Sequence, residues 1–172
     1  MQRKISHGAP LYLADDAAAE AVRTYVASGG HALVTYFSGI VDENDHIRAG
    51  GYPGAFRDVL GVRVEEFAPL LEGHVVALDD GGRGDVWTEH LALAGAEAVA
   101  SYVDGPQAGV PAVTRNQHGD GVAWYVATRT DAATTASIVQ RLVSEAGVAP
   151  ATSTTPGLEV VRRSGGGSSW LF

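Results

Sequence analysis

Carboxylates, histidines and one strand-following serine are the residues with chemical potential here, because the chain contains no cysteine. Thiolate nucleophiles, thiolate metal sites and disulfides are thereby excluded. Ser38 follows the apolar run from His31 to Phe37, where acyl-transfer enzymes built on sheets expose a nucleophile on a tight G-x-S-x-G turn. Tyr36 stands where the first glycine of that turn belongs, and chain order supplies no histidine and acid to pair with the hydroxyl. Ser38 is therefore expected to turn the chain, the commoner use of serine at such a position.

Asp42, Glu43, Asp45 and His46 form the densest set of hard-metal donors. Their order lacks the spacing of a calcium loop, and no pair of histidines recurs at the helical spacing that zinc sites use. A solvated loop, or one that pairs with a neighbouring chain, is the expectation, with no metal. Acid-base cleavage of a glycosidic bond needs two carboxyls about 5 to 9 Å apart. Glu65 and Glu66 fall on opposite faces of a strand, Asp79 and Asp80 sit in a glycine-rich turn, and Glu89 has no visible partner on its strand. All five read as exposed, solubilising charge. The segments DDGGRGD and SGGGSS lack the strand, spaced glycines and helix of a nucleotide fingerprint, so they are turns and no cofactor is expected. His7, His31, His46, His74, His90 and His118 are scattered, as surface or hydrogen-bonded histidines are.

Aromatic residues carry the stronger signal. Tyr36, Phe37 and Tyr52 border a long polar segment that holds Ile40, Val41, Asp42, Glu43 and His46, with Arg48 and Arg57 close by. Interfaces favour aromatic anchors with arginine nearby, which makes these ten residues the candidate subunit interface. The competing use is burial, the loop folding back on its own domain.

These residues need elements to position them. Leu11 to Leu13 suits a short strand, and Asp15 or Asp16 can cap a helix whose face is Ala17, Ala18, Ala21, Val22, Tyr25 and Val26, ended by Gly29-Gly30. His31 to Phe37 reads as a strand buried on both faces, hence a central parallel strand. The segment SGIVDENDHIRAGGYPG is too polar and glycine-rich for regular structure. A short helix from Ala55 to Leu60 and a strand from Val62 to Phe67 follow. Strand-like runs then recur at Gly73 to Leu78, Asp85 to Leu93, Ala96 to Val103, Pro111 to Gln117 and Gly121 to Thr128, with HGDG as the clearest hairpin turn. Asp131 opens a second helix, with Ile138, Val139, Leu142, Val143 and Ala146 on its face and Gly147 as its stop. After VAPATSTTPG, Leu158 to Arg163 is strand-like and SGGGSSWLF suggests a turn and the start of another strand. The expected fold class is α/β, a three-layer sheet domain.

Composition fits one such domain. The 172 residues, 45% hydrophobic and 19% charged, can build one core. They are too few for a catalytic barrel of roughly 250 residues. A net charge of -8, mixed along the chain, repels phosphate backbones and anionic lipid, so neither nucleic acid nor membrane is an expected partner. No apolar run approaches the roughly 20 residues of a membrane span, and a cytoplasmic protein is expected.

The stretch LVTYFSGIVDENDHIRAGGYPGAFRDVLGVRVEEFAPL, from Leu33 to Leu70, closely resembles the segment after the catalytic barrel in family 42 glycoside hydrolases, a β-galactosidase family. Gly84 to Leu93, Ala112 to Arg129 and Gly157 to Arg163 carry the same resemblance, which spans Leu11 to Phe172. It implies the middle domain, which joins subunits into a trimer and has a flavodoxin-like fold related to class I glutamine amidotransferases. The family's catalytic glutamates lie in the barrel, which nothing in this sequence matches, so no catalytic residue carries over. The resemblance also implies a lead-in at 1–10, the trimerisation-type domain at 11–155 and the start of a small C-terminal β domain at 156–172. Residues 1–10 match none of the further strand-helix units with which that domain begins, so its amino-terminal end is expected to be incomplete. The expected partners are further copies in a homotrimer, or a β-galactosidase barrel encoded separately. An amidotransferase-like activity lacks its cysteine. A sugar-binding module would use Trp87 or Trp124.

Overall fold

The computed structural model describes residues 5–7, 11–149, 152 and 158–172. Its centre is a five-stranded sheet in the order β1-β2-β8-β7-β6, made of Ile5–His7 (β1), His31–Thr35 (β2), Gly121–Val126 (β8), Pro111–His118 (β7) and Glu97–Ser101 (β6). β2 runs parallel to β1 and to β8, with His31 opposite Val122 and Thr35 opposite Val126. β7 and β6 continue the sheet in antiparallel fashion. The expected buried parallel strand is thus present, flanked by a parallel partner on each side. The lead-in, expected to carry no element, supplies the strand Ile5–His7. Its one β-former, Ile5, lies within charged and glycine-rich surroundings that hide it.

All six residues of β8 are buried, so both faces of the sheet need cover. On one face Ala32, Ala123 and Tyr125 meet α1 (Asp16–Ala27), α2 (Arg57–Leu60) and the strand β3 (Val62–Pro69). On the other, Leu33, Val122, Trp124 and Val126 meet α3 (Ala132–Glu145) through Ile138 and Leu142. Both long helices start where an aspartate offers an acceptor to orphan amides. The Asp15 carboxylate accepts from the Ala18 amide at 2.6 Å, and that of Asp131 from the Thr134 amide at 2.7 Å. The face of α1 differs slightly from expectation. Ala19 is buried while Ala17 and Ala21 are exposed, because Ala19, Val22 and Val26 align toward the sheet.

A second sheet joins β3, β5 (Arg83–Leu93) and β4 (Val75–Ala77), with β9 (Thr128–Thr130) also paired to β5. The HGDG turn closes the β7-β8 hairpin, with His118 opposite Gly121. Near the carboxyl end, β10 (Arg162–Gly165) and β11 (Ser168–Leu171) form a hairpin around Gly166 and Gly167, both at positive φ. Most of the segment VAPATSTTPG, and the boundary expected at 155/156 within it, lies outside the described residues. No helix among the described residues is long and apolar enough to cross a membrane.

One close approach fixes how α1 meets this sheet. A Cβ on Gly121 would collide with the carbonyl oxygens of Val26 and Gly30, both backbone atoms that cannot swing aside. Gly165, in contrast, faces open space. Gly121→Ala is expected to lower the unfolding free energy by about 1–3 kcal/mol, whereas Gly165→Ala stays within about 0.5 kcal/mol. Urea denaturation of both variants measures the difference.

Candidate functional site

Beyond Thr35 the chain turns sharply. The Tyr36 amide still donates to the Val126 carbonyl at 2.7 Å, but Phe37 adopts the left-handed conformation, with φ at 58°. Acyl-transfer enzymes built on sheets expose a nucleophile on a tight turn after a strand; here the left-handed residue after the strand is a phenylalanine. Ser38 is buried, its hydroxyl oxygen accepting the Leu11 amide at 3.0 Å. The turn itself is made by Phe37 and Gly39, both at positive φ, and Ser38 between them ties down the segment before α1.

The Phe37 ring is the hub of an aromatic cluster. It stacks on Tyr12 at 5.3 Å between centroids and meets Trp87 edge-on at 4.9 Å and Phe67 at 5.8 Å. Phe67 in turn touches Trp87 at 5.2 Å and stacks on Tyr52 at 4.8 Å, while Tyr36 tilts against Trp87 at 6.5 Å. Six rings from three separate stretches of chain and two strands are thus joined. All are partly exposed, Tyr12 by 41%. Such contiguous apolar surface with a polar surround marks a contact surface more often than a solvated face.

Beneath the rings lies Glu89 of β5, with no solvent exposure. Its Oε1 accepts the Phe37 amide at 3.0 Å and the Trp87 indole N–H at 3.1 Å. Its Oε2 accepts the Tyr125 hydroxyl at 2.6 Å. Burial pushes the carboxyl up to about 7, even though the Tyr125 hydroxyl, the Phe37 amide and the Trp87 indole all favour its charged form. Burial and the adjoining carboxylate raise the Tyr125 phenol well above its usual range. The expectation that Glu89 is exposed, solubilising charge is therefore wrong. Trp87, Glu89 and Leu91 share one strand face by alternation, and Leu91 is core. That alternation was the signal in the sequence that places Glu89 inside.

The strand beside this carboxylate is strained as well. Val86 has φ at 64° and is 47% exposed. A β-branched residue is a rare occupant of the left-handed region, and such strain clusters where a surface is used. The Leu70 amide holds the Val86 carbonyl at 2.8 Å. Val86 therefore lies one residue from Trp87, as Phe37 lies at the centre of the rings.

The ten candidate interface residues divide. Tyr36, Phe37 and Tyr52 belong to the ring cluster. Ile40 and Val41 are buried in their own domain, at 4% and 1%, because the Ile40 and Val41 amides donate to the Tyr12 carbonyl and draw the loop inward. They are core residues, a correction to their candidacy as surface. Asp42 accepts the Asn44 and His46 amides at 2.8 and 2.9 Å, forming a local turn, and the His46 amide bond holds its carboxyl below the ordinary value. Glu43 and His46 are exposed on that turn. Arg48 binds Asp16 and the Ala14 carbonyl, both at 2.7 Å. Arg57 binds the Gly50 and Ala49 carbonyls. Both guanidiniums pin the loop to this domain. Among the described residues no group of three or more histidines, aspartates or glutamates could hold a metal ion. Trp124 is buried with its indole on Glu145, so it offers no face to a sugar ring. Tyr12, Phe67 and Glu89 do not stand out in the sequence as site residues, because the pairing of β3 with β5 and the contact of Tyr12 with Phe37, not local spacing, bring them together.

Comparison with known proteins places this geometry. A family described as the beta-galactosidase trimerisation domain matches residues 9–149. A β-galactosidase of an Arthrobacter species is 50% identical over 94% of this chain, and this chain covers 24% of that protein. A β-galactosidase of Heyndrickxia coagulans is 44% identical over 90% of the chain and is likewise covered to 24%. The crystal structure of a β-galactosidase from Bacillus circulans sp. alkalophilus superposes with a TM-score of 0.92 at 36% identity, over 98% of this chain and 26% of that one. The chain thus spans about a quarter of the length of the curated relatives it matches.

Glu89 yields a pH test of the fold. A carboxyl raised in the folded state contributes stability that is fully present below its ordinary value of 4.5 and is lost as pH rises through about 7. For this shift the loss is roughly 3 kcal/mol. The stability difference between the protein and Glu89→Gln, from urea unfolding at pH 5 to 8, is expected to shift by that order against the protein as pH rises. A difference independent of pH in that window would show that Glu89 does not titrate there.

Proposed function

The chain belongs to the β-galactosidase trimerisation domain family of glycoside hydrolase family 42, and from that premise we propose that it joins copies into a homotrimer through its aromatic cluster. The observation that carries this reading is the partly exposed ring patch of Tyr12, Tyr36, Phe37, Tyr52, Phe67 and Trp87, ordered from below by a buried carboxylate and flanked by strained Val86. Aromatic anchors of this kind carry most of the energy of protein contacts. The exposed Glu43 and His46 lie on the same loop as Phe37 and Tyr52 and supply a polar rim. We read the fold as three-layer and flavodoxin-like, related to glutamine amidotransferases, from the helices that cover both faces of a sheet with parallel strands.

In this reading the parental enzyme hydrolyses terminal β-galactosides with carboxylates held in a barrel, on the same polypeptide or on a separate one. The domain's part is to bring those barrels together. A chain without cysteine gains nothing from an oxidising compartment, and we place the assembly in the cytoplasm.

Light scattering on size-exclusion fractions, beside a chromogenic β-galactoside assay, tests the proposal. The chain should elute as a trimer without hydrolytic activity of its own. Trp87→Ala should weaken association about 30-fold or more, the effect of removing a central anchor of about 2 kcal/mol. Arg141→Ala, which removes an exposed pairing with Asp80, should leave it unchanged. A monomer at high concentration, or equal loss in both variants, would overturn the ring patch as the contact.

A further inference from the structure

Two separated parts of the ring patch converge on one oxygen. Glu89 Oε1 receives both the backbone amide of Phe37, at 3.0 Å, and the indole of Trp87, at 3.1 Å. Phe37 is held in a backbone region that a bulky residue enters at a cost, and Trp87 follows Val86, which is in the same region. Neither position has a glycine to make that conformation easy. At Phe37 something must over-determine it, and the carboxylate accepts that residue's own amide; the same oxygen accepts the indole of Trp87, the neighbour of Val86.

Resting on the reading that the ring patch meets a partner subunit, we infer that Glu89 is a positioning residue of that contact. It presets Phe37 and Trp87 in the arrangement a partner meets, so that assembly is coupled to the protonation of this one carboxyl. All three of its partners are donors, and the carboxylate accepts them without conflict. Protonation adds a hydrogen whose nearest acceptor is the Tyr125 oxygen, which must then turn its own hydrogen away. It also replaces charge-assisted bonds to Phe37 and Trp87 with weaker neutral ones. Glu89 is fully buried already, so covering the rings adds little desolvation. The ionised form is thus the one that preorganises the surface, and preorganisation lowers the ordering cost of association.

The surroundings isolate this switch. From β8, Tyr125 faces the carboxyl, and Tyr102, just after β6, is the other titratable group that senses it. Burial raises both phenols, which stay neutral at the pH values where the carboxyl changes charge. The charged groups nearest along β5 and β9, Asp85 and Arg129, bind each other at 2.6 and 2.7 Å. His90, the next residue, pairs with Gln107 at 2.7 Å.

The test joins two readouts on the 172-residue chain. Tryptophan emission followed from pH 5 to 9 should show an inflection near pH 7, because the Trp87 indole is bonded to the titrating group. The inflection should vanish in Glu89→Gln and in Trp87→Phe. Its absence from the unaltered protein, or its survival in Glu89→Gln, overturns the inference whatever the assembly state. Sedimentation velocity then measures association at pH 6 and pH 8. The protein should associate about fivefold more tightly at pH 8, the difference between a neutral and a charge-assisted bond. Glu89→Gln, which keeps the acceptor without the charge, should hold the weaker pH 6 value at both. Association that is independent of pH in the protein, or pH-dependent in Glu89→Gln, overturns the coupling. A chain that never associates while its emission titrates as expected overturns the contact reading and the coupling together, leaving only the anchoring of the rings by Glu89.

Discussion

The constraint on which this structure rests is the complete burial of β8. A strand with six buried residues in succession leaves no face for water, so its amides and carbonyls must all be paired laterally and its side chains covered above and below. Lateral pairing comes from β2 on one side and β7 on the other. Cover comes from α1 and α2 on one face and α3 on the opposite one. The ends of those helices follow the same need. Gly121 allows the α1 terminus to approach backbone to backbone, and Arg115 and Trp124 both bind Glu145 at the end of α3.

Where β2 and β8 end, the parallel arrangement leaves a crevice, the usual ligand site of open α/β sheets. In this chain it is filled from the second sheet. Glu89 reaches across from β5 to the hydroxyl of Tyr125 on β8 and the amide of Phe37 beyond β2. The rings of Trp87 and Phe67 then close over it. The crevice thus ends in a ring surface, in a domain whose family is described by trimerisation.

The helices, the strand over His31–Thr35 and the HGDG hairpin were legible because each is a local pattern: a capping aspartate, an apolar period, a turn dipeptide. The three-residue strand at Ile5–His7 was not, since so short an edge owes its existence to the neighbouring β2. Of the site, Tyr36, Phe37 and Tyr52 were legible as aromatics around a loop. Arg48 and Arg57 lie beside the loop as the sequence indicates, but their guanidiniums are engaged within the domain, Arg48 on Asp16 and the Ala14 carbonyl and Arg57 on the loop's Ala49 and Gly50 carbonyls. Glu89 was misread because its charge outweighed its alternation with Leu91, which sets it on the inward face; the pairing of β5 with β3 then puts it under the rings. Tyr12 and Phe67 joined the site through contacts that no spacing encodes.

The shared oxygen of Glu89 also limits how this surface can change over generations. Phe37, Trp87 and Glu89 lie in two segments about fifty positions apart, yet each is bonded through the same acceptor. A substitution at any one alters the setting in which the other two are tested, so their effects do not add. A lineage altering its contact face would have to change these sites in concert or pass through intermediates less fit than either end. The patch is in this sense one heritable unit written in two places.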